Sequence, residues 1–172
     1  LRAGLVVVNV NPQYTVPELE HQLKDSGAAA IVVLENFAHT LQAVLEKDPA
    51  LKLHVITTEV GDMFSLLKEV LTNVVVKYVK KMVPQWHIPG ATEFNAALRA
   101  GQSQPLADVV LTHADTAFLQ YTGGTTGVAK GAVLTHGNMA ANVQQLSAWI
   151  AHDLLDGKEI LVCPLPLYHV YA

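Results

Sequence analysis

Short apolar runs alternate with segments of helical period over the first hundred residues of the chain. Residues 4–10, 28–34 and 51–57 are predicted to be strands, because each is short and is either continuously apolar or alternating. Residues 37–47 follow a helical period and are predicted to form a helix. Repeated units of a strand followed by a helix predict a parallel sheet covered by helices.

The predicted helix that follows the first strand has a signal at each end. Thr15 and Glu18 have the spacing of a capping box, in which each residue satisfies a free N–H group of the first turn. Gly27 is a natural stop, since glycine readily takes the left-handed conformation that ends many helices. We therefore expect a helix between Thr15 and Gly27.

Residues 63–83 are predicted to form a longer amphipathic helix, with its apolar residues on one face. The opposite face carries polar residues, and three lysines gather near its end: Lys77, Lys80 and Lys81. A basic amphipathic helix can lie in the lipid interface, which predicts contact with a membrane surface. The alternative is a core helix that covers the sheet and directs its lysines to water.

A polar break at residues 101–105 is the best internal boundary, and it divides the chain into portions 1–105 and 106–172. Beyond it we expect strands at residues 116–121, 132–134 and 159–163 and a helix at 138–151. The fold class is therefore α/β, with portions of two parallel-sheet subdomains covered by helices. There is no internal repeat.

Composition restricts the function. The chain has 172 residues and a net charge of -4, which argues against a nucleic-acid partner. Cys163 is the single cysteine, so no internal disulfide forms, and we expect a buried thiol in a reducing cytoplasm. No apolar run is long enough to span a membrane. The histidines lack metal-ligand spacing, and no metal site is predicted. We expect both ends of the chain to lie inside a longer protein.

Residues 121–131 are the most informative stretch for chemistry. Glycines allow the backbone N–H groups to approach an anion, threonines add hydroxyl donors and Lys130 adds a positive charge, which together suit a polyphosphate. The pattern differs from the Walker A motif, because Ala129 precedes Lys130 and Gly131 follows it. A simple hairpin turn between Tyr121 and Ala132 is the structural alternative.

The sequence YTGGTTGVAKGAVLTH at residues 121–136 resembles the phosphate-binding signature of the adenylate-forming enzymes. The segment PLPLYHV at 164–170 resembles the next motif of that superfamily. Residues 4–28 and 75–100 resemble bacterial long-chain fatty-acid CoA ligases. The chain thus resembles part of the large N-terminal domain of an acyl-CoA synthetase.

This resemblance implies that ATP activates a fatty acid as acyl-AMP, and that CoA then takes the acyl group. It assigns the β- and γ-phosphates of ATP to a set of loop residues and gives an active-site position to His169. The phosphate-binding set is Thr122, Gly123, Gly124, Thr125, Thr126, Gly127 and Lys130.

The resemblance also implies that the Mg²⁺ ligand, the ribose ligand and the catalytic lysine lie outside these 172 residues. We therefore expect the chain alone to be inactive. The expected location is the cytoplasm, with peripheral contact at the inner face of the membrane through the 63–83 helix. The alternatives are another adenylate-forming enzyme, such as an aryl-CoA ligase or a peptide-synthetase adenylation domain, or a truncated, non-catalytic nucleotide-binding module.

Overall fold

A computed structural model describes residues 1–122, 128–150, 157–158, 160, 162–166 and 168. The chain divides into two compact units: Leu1–Asn11 with Leu106–Ala172, and Pro12–Pro105. The strands are β1 (Val7–Asn9), β2 (Ala30–Leu34), β3 (His54–Thr58), β4 (Thr92–Glu93), β5 (Thr116–Thr122) and β6 (Lys130–Thr135). The helices are α1 (Val16–Ser26), α2 (Ala38–Lys47), α3 (Leu66–Val74), α4 (Phe94–Gln102) and α5 (His136–Ile150).

The Pro12–Pro105 unit is built on a parallel sheet with the order β2-β3-β4. Helix α1 begins as predicted, because the Thr15 backbone N–H donates to Glu18 Oε2 at 2.8 Å. It ends at Gly27, whose φ of 61° lies in the left-handed region. Leu19, Leu23, Leu41 and Val44 on α1 and α2 are buried and form much of the core of this unit.

The other unit has a sheet with the order β1-β5-β6. Strand β1 runs parallel to β5, and β6 runs antiparallel to it. The predicted portion 1–105 therefore differs from the structure at its start, since pairing with β5 places Leu1–Asn11 with the later residues. The predicted α/β class with parallel sheets is confirmed, and β6 adds an antiparallel strand.

The end of the chain departs from two predictions. Residues 160, 162 and 163 of the predicted strand 159–163 lie in no regular element, and residues 159 and 161 lie outside the described part. Cys163 is exposed, so the prediction of a buried thiol is wrong. The described residues of this segment form no strand that would bury the thiol.

Helix α3 is shorter than the predicted 63–83 helix, and it packs through its polar side. Asn73 Oδ1 accepts from the Gly61 backbone N–H at 2.7 Å, and Glu69 Oε1 accepts from Asn95 Nδ2 at 3.0 Å. The apolar side faces outward, with Leu67 85% and Leu71 66% exposed. The alternative of a core helix with its apolar face on the sheet is therefore wrong for the described chain. No helix among the described residues is long and apolar enough to cross a membrane.

A π-helical turn, Val75–Val79, continues α3 and carries Lys77 toward the inside of the unit. Lys77 Nζ lies 3.0 Å from Glu35 Oε2 and 3.5 Å from Glu59 Oε1. The hydrogen bond to the buried Glu35 carboxylate raises the pKa of Lys77 above its ordinary value. The ammonium group therefore stays charged at neutral pH, and its stabilising effect is lost only as the pH rises through that raised pKa. Lys77 thus belongs to an ion-pair cluster rather than to a free basic surface.

Replacing Lys77 with glutamine should loosen α3, because the Glu35 carboxylate would remain buried without its charged partner. Loss of such a partner costs about 1–3 kcal/mol. We expect a cost at the lower end of this range, since the Lys77 side chain is 37% exposed and its charge is partly screened by solvent. The measurement is amide hydrogen exchange across α3, with Lys52→Gln, at an exposed lysine, as control. Equal exchange in the two variants would contradict the role of Lys77.

Candidate phosphate-binding site

The predicted phosphate loop connects the two strands of an antiparallel hairpin. Strand β5 ends at Thr122 and β6 begins at Lys130, and these two residues are cross-strand partners. Residues 123–127, which include Gly123, Gly124, Thr125, Thr126 and Gly127, lie outside the described residues. Their predicted phosphate contacts therefore stay predictions, and the described site consists of the two ends that hold the loop.

Both described ends of the loop present polar groups to solvent. Thr122 and Lys130 are exposed, and so is Val128 just before the second strand. Among the residues that the structure describes, no carboxylate forms an ion pair with Lys130. The Lys130 ammonium group can therefore neutralise an anion that approaches from outside, as a phosphate-binding role requires.

Tyr121 and Gly131 explain how the sequence closes the hairpin next to the loop. They are cross-strand partners, and the buried Tyr121 ring lies over Gly131. A Cβ atom at Gly131 would lie only 3.0 Å from Cε2 of that ring. Gly131 is the last glycine of the predicted loop motif, and the Tyr121 ring leaves room for only a small residue at its position.

The second predicted motif reaches the same strand through a side-chain amide. Gln120 Nε2 donates to the Tyr168 backbone oxygen at 3.2 Å, and Gln120 Oε1 accepts from Asn9 Nδ2 at 3.2 Å. His169, the predicted active-site histidine, lies outside the described residues but follows Tyr168 directly in the chain. The strand that leads into the loop and the segment that leads to His169 are thus joined by one hydrogen bond.

Sequence reasoning missed Gln120. A lone glutamine within an apolar strand gives little signal of its own, although a polar residue there must find partners once the strand is buried. The Asn9–Gln120 pair could have been found only by knowing that β1 lies beside β5, a pairing between residues 111 positions apart.

A polar cavity of about 290 Å³ lies within the Pro12–Pro105 unit, and sequence reasoning missed it as well. Its lining includes Glu35, Glu59, Asp62, Lys77 and Arg99. Burial, followed by the charge of the neighbouring Glu35, raises the pKa of Glu59 above its ordinary value. Among the described residues, no group of three or more histidine, cysteine or acidic side chains could hold a metal ion.

The described part of the chain thus combines α/β layers with a hairpin whose loop ends are polar. The whole chain, residues 1–172, matches the AMP-binding enzyme family, and it belongs to that family.

The chain is similar to two curated relatives and to one solved structure, as follows. The chain is 55% identical, over all of its 172 residues, to the long-chain-fatty-acid–CoA ligase of Escherichia coli O157:H7, of which it covers 30%. It is 29% identical to 4-coumarate–CoA ligase 3 of Arabidopsis thaliana, over 98% of this chain and 25% of that protein. The fold is similar to that of an anthranilate CoA ligase in complex with anthranoyl-AMP, with a TM-score of 0.54 and 20% identity over 81% of this chain and 22% of that chain.

Replacing Gly131 with alanine should destabilise the hairpin, because the added methyl group would push the Tyr121 ring out of place. Such overpacking costs about 1–3 kcal/mol, measurable as a lower midpoint of denaturant unfolding. Gly101→Ala is the matched control, since nothing lies within 4 Å of its added Cβ and alanine favours the α4 helix. Equal midpoints for Gly131→Ala and the unchanged protein would refute the packing role of Gly131.

Proposed function

We propose that the protein containing this chain is a long-chain fatty-acid CoA ligase that uses ATP. The observation that carries the proposal is the 55% identity, over the whole chain, to the Escherichia coli ligase of that name. The identity to the plant 4-coumarate ligase is far lower, at 29%. This difference favours a fatty acid over an aromatic acid as the substrate. Because the chain spans 30% of the bacterial relative, the activity belongs to the longer protein.

The proposed reaction has two steps. In the first, a carboxylate oxygen of the fatty acid bonds to the α-phosphorus of ATP, and the bond from that phosphorus to pyrophosphate breaks. In the second, the sulfur of CoA bonds to the acyl carbon. The bond between that carbon and the oxygen that links it to AMP breaks, and AMP leaves with this oxygen. The products are acyl-CoA, AMP and pyrophosphate.

In this proposal the loop between β5 and β6 holds the β- and γ-phosphates, with Thr122 and Lys130 at its described ends. Lys130 stabilises the negative charge that develops on the leaving pyrophosphate, an effect largest where the charge is held in place before reaction. His169 would lie near the acyl adenylate. The described residues offer no cluster suited to Mg²⁺, and the proposal leaves its ligand outside this chain.

Replacing Lys130 with alanine in the full-length enzyme should slow formation of the acyl adenylate about 100-fold, the scale of losing one preorganised charge-stabilising group. The measurement is the exchange of labelled pyrophosphate into ATP in the presence of palmitate. Lys52→Ala removes an exposed lysine of the other unit and should leave the exchange rate unchanged. An unchanged rate in Lys130→Ala would refute the role of Lys130.

The same exchange assay separates the alternative functions. A fatty-acid ligase should catalyse exchange with palmitate and not with 4-coumarate or with free amino acids. Exchange that depends on 4-coumarate would favour an aryl-CoA ligase, and exchange that depends on an amino acid would favour an adenylation domain. A full-length protein that catalyses no exchange but binds ATP would be a nucleotide-binding module instead.

We further propose that the protein works in the cytoplasm, with α3 and its π-helical turn against the inner face of the membrane. The outward face of this segment is apolar at Leu67, Leu71 and Tyr78, which are all more than half exposed. Lys80 and Lys81 follow directly and are exposed, and their charges complement anionic headgroups. Lys77 is excluded from the membrane contact, because its ammonium group pairs with Glu35.

Replacing Lys80 and Lys81 together with glutamine should lower binding to anionic vesicles about tenfold or more, since each lysine contributes ~1 kcal/mol near such a surface. The measurement is co-sedimentation of the full-length enzyme with phosphatidylglycerol vesicles at low salt. The matched control replaces two other exposed lysines, Lys52 and Lys158, and loses the same charge. Activity on a soluble short-chain acid should be equal in all three proteins.

Two outcomes would contradict the membrane contact. One is equal co-sedimentation of the two double variants. The other concerns replacement of Leu67 and Leu71 with serine: the variant would lose stability but still bind vesicles. The second outcome would mean that the remaining part of the enzyme covers this face, since burying a serine hydroxyl costs stability only where the site is packed.

A further inference from the structure

Gln120 lies in the middle strand of the β1-β5-β6 sheet and is 7% exposed. Both the oxygen and the nitrogen of its side-chain amide form hydrogen bonds. Oε1 accepts from Asn9 Nδ2 on β1, and Nε2 donates to the backbone oxygen of Tyr168, each at 3.2 Å. A buried amide with partners on both atoms is held in one orientation, because turning it over would place donor against donor and acceptor against acceptor.

The position of Gln120 links the two motifs in space. Side chains alternate between the faces of a strand, so Gln120 and Thr122 lie on the same face of β5. Thr122 is the last described residue before the loop, and Tyr168 is the residue before His169. The amide therefore spans from the strand that leads into the loop to the backbone that leads to His169.

We propose that Gln120 is a positioning residue for the adenylation step, which holds the Tyr168 backbone against the strand that leads into the phosphate loop. This inference rests on the proposed function, in which the loop binds the phosphates of ATP and His169 lies near the acyl adenylate. The reacting groups must be aligned closely for the first step, since small displacements lower the rate of a preorganised reaction steeply.

The two ends of the Gln120 contact differ in what else holds them. Strand β5 is paired along its backbone with β1 and with β6, so the loss of one side-chain bond leaves Thr122 in place. Tyr168 follows the described residues 162–166, which form no helix or strand, so a hydrogen bond there has more influence on position. A change at Gln120 should therefore displace the Tyr168 segment rather than the loop.

Gln120→Glu is the sharpest variant, because it keeps the size of the side chain and an acceptor for Asn9. The carboxylate has no donor for the Tyr168 oxygen and repels it. In the full-length enzyme we expect the KM for palmitate in pyrophosphate exchange to rise about tenfold, the equivalent of one lost hydrogen bond. The KM for ATP should change less than about twofold, since the loop stays anchored.

Asn9→Ala is the matched control, because it removes the hydrogen bond to Gln120 Oε1 and leaves Gln120 Nε2 to donate to the Tyr168 oxygen. A merely structural role would lower the active fraction in both variants, which reduces kcat and leaves each KM unchanged. The inference is overturned if the KM for palmitate is the same in Gln120→Glu and the unchanged enzyme. It is also overturned if Asn9→Ala raises that KM equally.

A second readout is independent of activity. Gln120→Glu should speed amide hydrogen exchange in peptides spanning residues 162–168, while exchange in β5 stays as it was. Unchanged exchange there overturns the positioning role even if the unchanged enzyme proves inactive toward fatty acids. The full-length protein could also fail to activate palmitate while Gln120→Glu still speeds exchange at residues 162–168. The first result would refute the proposed function, and the second would support the contact between Gln120 and Tyr168.

Discussion

The backbone pairing of β5 on both sides is the constraint on which the candidate site depends. Strand β1 adds a parallel partner from the start of the chain, and β6 adds an antiparallel partner from beyond the loop. The β5–β6 ladder places Thr122 and Lys130 opposite each other. The two ladders also make the Pro12–Pro105 unit an insertion in sequence between β1 and β5. Pairing with β6 therefore places the ends of the loop, and pairing with the distant strand β1 holds residues 118–120 in the middle of β5.

Features that depend on local hydrogen bonds were predictable from the sequence, and those that depend on distant partners were not. The capping box at Thr15, the stop at Gly27 and the strand at 116–121 follow from neighbouring residues, and the structure agrees. The run at 4–10 reads like any other buried strand, so nothing in it reveals that its partner is β5 rather than β2. The same limit hid Gln120, whose partners Asn9 and Tyr168 come from opposite ends of the chain.

Helix α3 shows why an amphipathic pattern alone does not give orientation. The pattern reveals that two faces differ, but which face turns inward depends on what the rest of the unit presents. Here the unit presents a buried carboxylate, Glu35, beside Glu59, whose pKa is raised by burial and by that neighbouring charge. Lys77 compensates this concentration of negative charge, and a buried carboxylate without such a partner would be costly. The polar side of the helix is therefore the side that packs.

The sequence sets a hairpin and a phosphate loop against each other as alternatives, but the hairpin pairing of β5 and β6 does not exclude a phosphate loop between them. Two residues suffice to connect antiparallel strands in a tight turn. The paired residues Thr122 and Lys130 are instead separated by residues 123–129, a connection longer than closure requires. Lys130 stands exposed at the start of β6 without an ion-pair partner among the described residues. By its sequence, this connection carries backbone and hydroxyl donors that closing a hairpin does not require, and the proposed phosphate-binding role needs such donors.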